Sequence, residues 1–206
     1  MRTRRAEREA KRLRSRRIRA ALAGGLVFGV GAAMTLAAWT DSENAGASFT
    51  AGRFDIVGAP DGVSFSSHPS PGAPSALSFA VAPTALAPGT TTYALFSVRT
   101  ANPSIAGTLQ LTAGTPTGTG LAAHLTYGAR TIGASTSCTA TTYGTGTVVV
   151  PDGSALTVGA TGTQAVAANG ASQVNYCLAV TLPTTASNTA QGLTMTQVWQ
   201  VVGTSS

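Results

Sequence analysis

The sequence predicts an all-β protein, a two-sheet β-sandwich, preceded by an N-terminal signal or transmembrane helix. Three observations carry that reading. Ten basic side chains precede position 20, and a 19-residue uncharged run, residues 20–38, follows them. Residues 39–206 are rich in Thr, Ala, Gly, Ser and Val, with no Lys after position 11 and no Glu after position 43. Short apolar–polar alternations recur there between Gly, Pro and Asn turns, and no segment holds a convincing helical period.

The leader comes first. Arg2, Arg4, Arg5, Arg8, Lys11, Arg12, Arg14, Arg16, Arg17 and Arg19 form a block that is held on the cytoplasmic side. Residues 20–38 would enter the bilayer, since nineteen helical residues span about 28 Å, just enough for a hydrocarbon core. The run is either a cleaved signal or a retained anchor. Gly24, Gly25, Gly29 and Gly31 keep it weakly hydrophobic, which favours a signal. Small residues place cleavage after Ala37 or Ala38, and Ala45-Gly46-Ala47 offers a second site. The expected organisation is a signal peptide over 1–38 and an extracellular β-sandwich domain over 39–206.

This division reverses the meaning of the charge. The whole chain carries a formal +6, but residues 1–38 hold ten bases against Glu7 and Glu9. The remainder has only Arg53, Arg99 and Arg130 against Asp41, Glu43, Asp55, Asp61 and Asp152, a net of −2. A nucleic-acid-binding domain needs its basic patch on the folded part, so nucleic acid is not an expected partner.

Strand signals then follow in order. Residues 49–57 form the first predicted strand, with a parity change at Ala51-Gly52 that reads as a bulge or bend. Val63 and Phe65 alternate, as do Leu77, Phe79 and Val81 beyond the Pro-rich loop at 68–74. Residues 91–100 are apolar on both faces, which places that strand centrally. Leu109 and Leu111 share a face in the next strand. Leu121, Ala123, Leu125 and Tyr127 alternate, as do Val148 and Val150 before a Pro151-Asp152-Gly153 turn. Residues 156–158 and 164–166 are weaker strands, and Asn169-Gly170 signals a hairpin. Val174, Tyr176, Leu178, Val180 and Leu182 all share one face, and Met195, Trp199 and Val201 share a parity in the last strand.

Cys138 and Cys177 are the only cysteines. In an oxidising compartment they are expected to form one disulfide, worth about 4 kcal/mol in the chain-entropy model. Cys177 is opposite in parity to the core face of its strand. The bridge should therefore tether the Thr-rich loop 128–147 across the outer face or the edge of the last sheet.

A resemblance enters at the leader's end. Leu36-Ala37-Ala38-Trp39-Thr40-Asp41-Ser42-Glu43, followed by Phe49-Thr50-Ala51-Gly52-Arg53-Phe54-Asp55-Ile56, resembles the SipW-dependent signal peptide and first strand of exported proteins of the TasA/camelysin-like group. The match is specific over about residues 20–57. It continues more weakly at Leu86-Ala87-Pro88-Gly89 and at Tyr176-Cys177-Leu178-Ala179-Val180-Thr181-Leu182-Pro183. The resemblance implies a SipW-type signal peptidase as partner, with Ala37, Ala38, Trp39, Asp41 and Glu43 as its recognition and cleavage region. It also implies a jelly-roll-like sandwich and, often, assembly into extracellular fibres or a biofilm matrix.

Enzyme chemistry lacks a constellation. His68 sits in a Pro/Ser loop and His124 on an apparent strand, without an H-E-x-x-H or a second ligand nearby. Serines have no nucleophile-elbow context, and the carboxylates are too scattered for calcium. No cofactor or metal is expected. The leading expectation is a secreted, non-enzymatic structural protein of the cell surface or matrix. Phe49, Ala51, Phe54 and Ile56 form a candidate donor strand for self-assembly; the same segment is more simply read as the first strand of its own sandwich, and the two can coexist as fibre and monomer. The alternatives are a membrane-tethered adhesion module with an uncleaved helix and a camelysin-like metallopeptidase.

Overall fold

The computed structural model describes residues 3–34, 40–79, 86–133 and 137–206. The chain divides into two compact units, Met1–Phe49 and Thr50–Ser206. In the first, the basic block and most of the apolar run make one continuous helix, α1 (Thr3–Met34). Among the described residues no helix is long and apolar enough to cross a membrane. Of the expected run of residues 20–38, α1 contains residues 20–34. Ala37, Ala38 and Trp39 lie outside the described residues.

The second unit is all-β. Its strands are β1 (Ile56–Ala59), β2 (Thr91–Thr100), β3 (Gly107–Ala113), β4 (Thr117–Gly118), β5 (Thr126–Ile132), β6 (Thr147–Ser154), β7 (Gln164–Val166), β8 (Gln173–Thr181), β9 (Met195–Thr196) and β10 (Trp199–Ser205). A short helix, α2 (Ala140–Gly144), sits between β5 and β6. A five-stranded sheet runs β1-β2-β8-β5-β6, a three-stranded one β10-β3-β7, and β4 pairs with β9. The ladders between these strands are all antiparallel.

One core joins the two larger sheets. Val98, Tyr127, Tyr176, Leu178 and Val180 come from the five-stranded sheet; Leu109, Leu111 and Val166 come from the other. The alternation read in residues 174–182 is borne out, since Val174, Tyr176, Leu178, Val180 and Leu182 all join this core while Cys177 and Ala179 between them belong to a second cluster. The Tyr176 hydroxyl donates to Gln164 Oε1 at 2.7 Å, a polar tie from β8 to β7. Tyr127 likewise donates its hydroxyl to the Val158 carbonyl. Both rings are too large to bury with an unpaired hydroxyl, and each has found an acceptor at the rim of the core.

Several boundaries differ from expectation. β1 begins at Ile56, whereas residues 53–55 are sewn to the connection after β2: Ala101 N donates to the Asp55 carbonyl at 2.9 Å and Ile105 N to the Arg53 carbonyl at 2.8 Å. That connection contains Pro103, which has no N–H, so no regular ladder extends along it. Residues 121–124 form a 3-10 turn instead of a strand, which puts His124 at the end of a turn. The Pro151-Asp152-Gly153 turn lies inside β6, as an irregularity in the β5 pairing between Tyr127↔Ser154 and Ala129↔Val150. Asn169 and Gly170 do adopt left-handed backbone, at φ 55° and 69°. The turn carries the chain from β7 in one sheet to β8 in the other, so it is not a hairpin.

Candidate functional site: a tethered outer face and an open sheet edge

Two regions gather the residues singled out by the sequence. The first is the outer face of the five-stranded sheet. Cys138 and Cys177 form a disulfide with Cα atoms 5.3 Å apart. Cys177 is fully buried, and Leu95, Ile132, Tyr143 and Ala179 surround the bridge as a second, smaller core. The outer-face placement read from the parity of Cys177 is the observed one, but residues 128–132 of the expected loop belong to β5.

Local chemistry shapes the excursion that carries Cys138. Thr139 caps α2: its hydroxyl accepts from Thr142 N at 3.2 Å, and Thr142 Oγ1 accepts from Thr139 N at 2.8 Å. This helix presents Tyr143 to the sheet, where its ring lies 5.5 Å from that of Tyr93. The Tyr143 hydroxyl donates to Asp152 Oδ1, and Arg130 donates to Asp152 Oδ2 at 2.8 Å while its guanidinium sits 4.7 Å from the Tyr143 ring. Gly128 makes this possible, because a Cβ there would fall on the Tyr143 hydroxyl and Asp152. The Tyr143 hydroxyl bond, followed by Arg130, holds the Asp152 carboxyl below the usual carboxylate range. Burial in turn pushes the Tyr143 hydroxyl up. Such a group of locked partners is suited to holding a loop, not to proton transfer.

The second region lies around β10; residues 40–49 belong to the other compact unit. Residues 40–52 are exposed, and Phe49 is 93% exposed. Asp41 and Glu43 are exposed too, with Asp41 Oδ1 accepting from Ser42 N at 2.9 Å. Of the four residues named for a donor strand, Phe49 and Ala51 lie in this exposed stretch. Phe54 and Ile56 belong to the body of the domain. The Phe54 ring covers Gly107 and Gly203, where added Cβ atoms would approach it to 2.6 and 2.9 Å. Ile56 pairs with Thr100 in the β1–β2 ladder.

Among the described residues β10 is an edge strand, paired with β3 alone. Trp199, Gln200 and Val201 form one wall of an apolar groove of about 430 Å³. Ile56, Phe96 and Val98 contribute a second wall, and the Pro-rich loop containing His68 closes it. Sequence reasoning found the loop from its prolines, but pairing partners of β10 leave no mark in the sequence. A further cavity of about 720 Å³ is lined by Leu121, Leu125, Leu182, Met195 and Trp199.

No group of three or more His, Cys, Asp or Glu side chains that could hold a metal is found among the described residues. His68 is exposed with its ring nitrogen 3.4 Å from the Ser66 hydroxyl, and His124 ends the turn at 121–124. The metallopeptidase reading therefore finds no ligand set there. No protein-family model matches this chain, and no curated protein matches it either.

Proposed function

We propose that this chain is an exported, non-enzymatic structural protein of the cell surface or extracellular matrix. Its folded unit is read as a jelly-roll-like sandwich that self-assembles by strand addition. The carrying observation is the coexistence of an exposed segment ahead of β1 with a β10 edge that no second strand pairs among the described residues, beside an apolar groove. Residues 44–51 alternate, with Ala45, Ala47, Phe49 and Ala51 on one parity and Asn44, Gly46, Ser48 and Thr50 on the other. An extended peptide of that pattern suits addition to a sheet edge, where backbone bonds supply affinity and alternate side chains enter the groove.

The disulfide supports an oxidising destination, and the basic leader supports export through a SipW-type signal peptidase. Removing the leader would free the segment that starts near Trp39. Electron microscopy of the secreted form, with and without residues 40–49, tests the reading. Fibres are expected only when the segment is present, and fibres formed equally well by Thr50–Ser206 alone overturn strand addition.

A further inference from the structure

The Pro-rich loop beside β10 is held in an unusual way. At one end Gly58 N donates to the Ser66 carbonyl at 2.9 Å and Ser66 N to the Gly58 carbonyl at 3.0 Å. At the other end Phe79 forms a single bridge to Ala94 of β2. Between them, among the described residues, the one backbone–backbone bond of residues 67–78 is internal, from Ala73 N to the Ser70 carbonyl at 3.0 Å. Residues 67–74 are exposed throughout, and Leu77 and Phe79 are the apolar anchors that reach the core.

This strap still walls the groove that β10 faces. Its composition determines what it can do there. Pro69, Pro71 and Pro74 have no N–H, so the strap cannot build a ladder along β10. It walls the groove beside an edge that would otherwise be an aggregation template, and among the described residues that edge's own backbone groups are unpaired by a second strand.

We propose that residues 67–78 are a resident plug of the groove beside β10, displaced when the N-terminal segment of a second copy adds to that edge. The inference rests on the strand-addition reading above and supplies its regulation. An incoming segment such as 44–51 has no proline and brings a complete set of N–H donors. The strap yields because it loses no ladder when it moves. Residues 66 and 79 act as its hinges. The plug keeps isolated copies apart, and its prolines keep it from becoming a permanent strand.

Two variants of Thr50–Ser206, the unit with its own core, move in opposite directions. In one, residues 68–74 are replaced by Gly-Gly, which removes the plug but keeps Leu77 and Phe79. In the other, Pro69→Thr, Pro71→Thr and Pro74→Thr restore three N–H groups in a residue type suited to strands. Each is checked for an intact disulfide and a cooperative thermal transition, then titrated with a fluorescent synthetic peptide of residues 40–52.

The shortened strap should bind the peptide at least about tenfold more tightly than the parent, and the triple Thr variant at least about tenfold more weakly. Equal affinity for all three proteins overturns the plug while leaving strand addition in place. Absence of binding to all three, the shortened strap included, overturns strand addition and the plug with it.

Discussion

Asn175 and Cys177 stand two residues apart on the outer face of β8, and both hold the same excursion. Asn175 Nδ2 donates to the Gly133 carbonyl at 2.8 Å, and Cys177 is bonded to Cys138. The central strand is thus buried on both faces, by the main core on one side and by the chain around α2 on the other. The excursion is fixed at its start by a hydrogen bond, at its middle by a disulfide and at its end by Tyr143 on Asp152.

Removing the disulfide should lower global stability without releasing the excursion. The bridge closes a separation of 39 residues, so Cys138→Ser with Cys177→Ser is expected to cost about 4 kcal/mol. Denaturant titration measures that loss. Near-ultraviolet circular dichroism of the variant should still report an ordered Tyr93–Tyr143 pair; loss of that signal in an otherwise folded protein would mean the disulfide alone holds the excursion.

Asn175→Ala should cost about 1–3 kcal/mol, because it leaves the buried Ser97 hydroxyl unpaired. Asn175 Oδ1 accepts from the Ser97 hydroxyl at 2.6 Å and from Gln173 Nε2 at 2.8 Å. Ser97→Ala, which removes one partner of Asn175, should cost about 1 kcal/mol. The double variant is expected to fall short of the sum, since both changes remove the same bond. Strict additivity in chemical denaturation would show that the two residues are not coupled.

These features differ in how far the sequence announces them. β2 and β8 were legible because long runs of alternating or wholly apolar residues leave few other folds. The disulfide was legible from two cysteines, and its outer-face placement from the parity of Cys177. The α2 helix was not, because Ala140-Thr141-Thr142-Tyr143-Gly144 is too short to carry a period and forms around a Thr139 cap and a buried tyrosine. Residues 49–57 read as one strand, yet the chain changes role at Asp55, where Ser104 Oγ accepts from Asp55 N at 3.0 Å. That partner is 49 residues away. The edge position of β10 was equally invisible, because it depends on which strands the fold brings beside it, and among the described residues that is β3 alone.

Gly107→Ala tests how tightly the first strand's approach is packed. A Cβ at 107 would collide with the Thr204 carbonyl across the β3–β10 ladder and come within 2.6 Å of Phe54 Cε2. Backbone on one side and a half-buried ring on the other leave little room to relax. The cost should be about 1–3 kcal/mol by overpacking, read from the denaturation midpoint. Gly162→Ala, with open space around its Cβ, is the matched control and should change stability by less than about 1 kcal/mol.

Acid should loosen the α2 end of the excursion before the main core. The Asp152 carboxyl is held below its ordinary value, first by the Tyr143 hydroxyl and then by Arg130. A depressed carboxylate contributes stability that is present above the unfolded pKa, about 3.9, and lost as pH falls through the folded value. Asp152→Asn should therefore remove the part of the acid sensitivity that tyrosine fluorescence reports, while leaving the tryptophan signal of Trp199 unchanged. An identical acid transition in both proteins would contradict the assignment.

Alkali should unfold the domain through its tyrosines. Burial pushes the Tyr127 hydroxyl up to about 12, and burial likewise raises those of Tyr176 and Tyr143. A group whose folded pKa lies above its unfolded value lends stability that is complete below the unfolded pKa, about 10, and fades as pH rises through the folded one. Stability should hold to about pH 9 and then fall between about pH 10 and 12. Across that window Tyr127, Tyr143 and Tyr176 ionise chiefly in unfolded chains, so their tyrosinate absorbance and the loss of sheet signal should rise together as one transition. Tyr127→Phe, which removes one titrating group along with its bond to the Val158 carbonyl, should start from lower stability and decline less steeply above pH 10. Tyrosinate appearing at its ordinary pH while the sheet signal stays native would show that these rings are not buried as described.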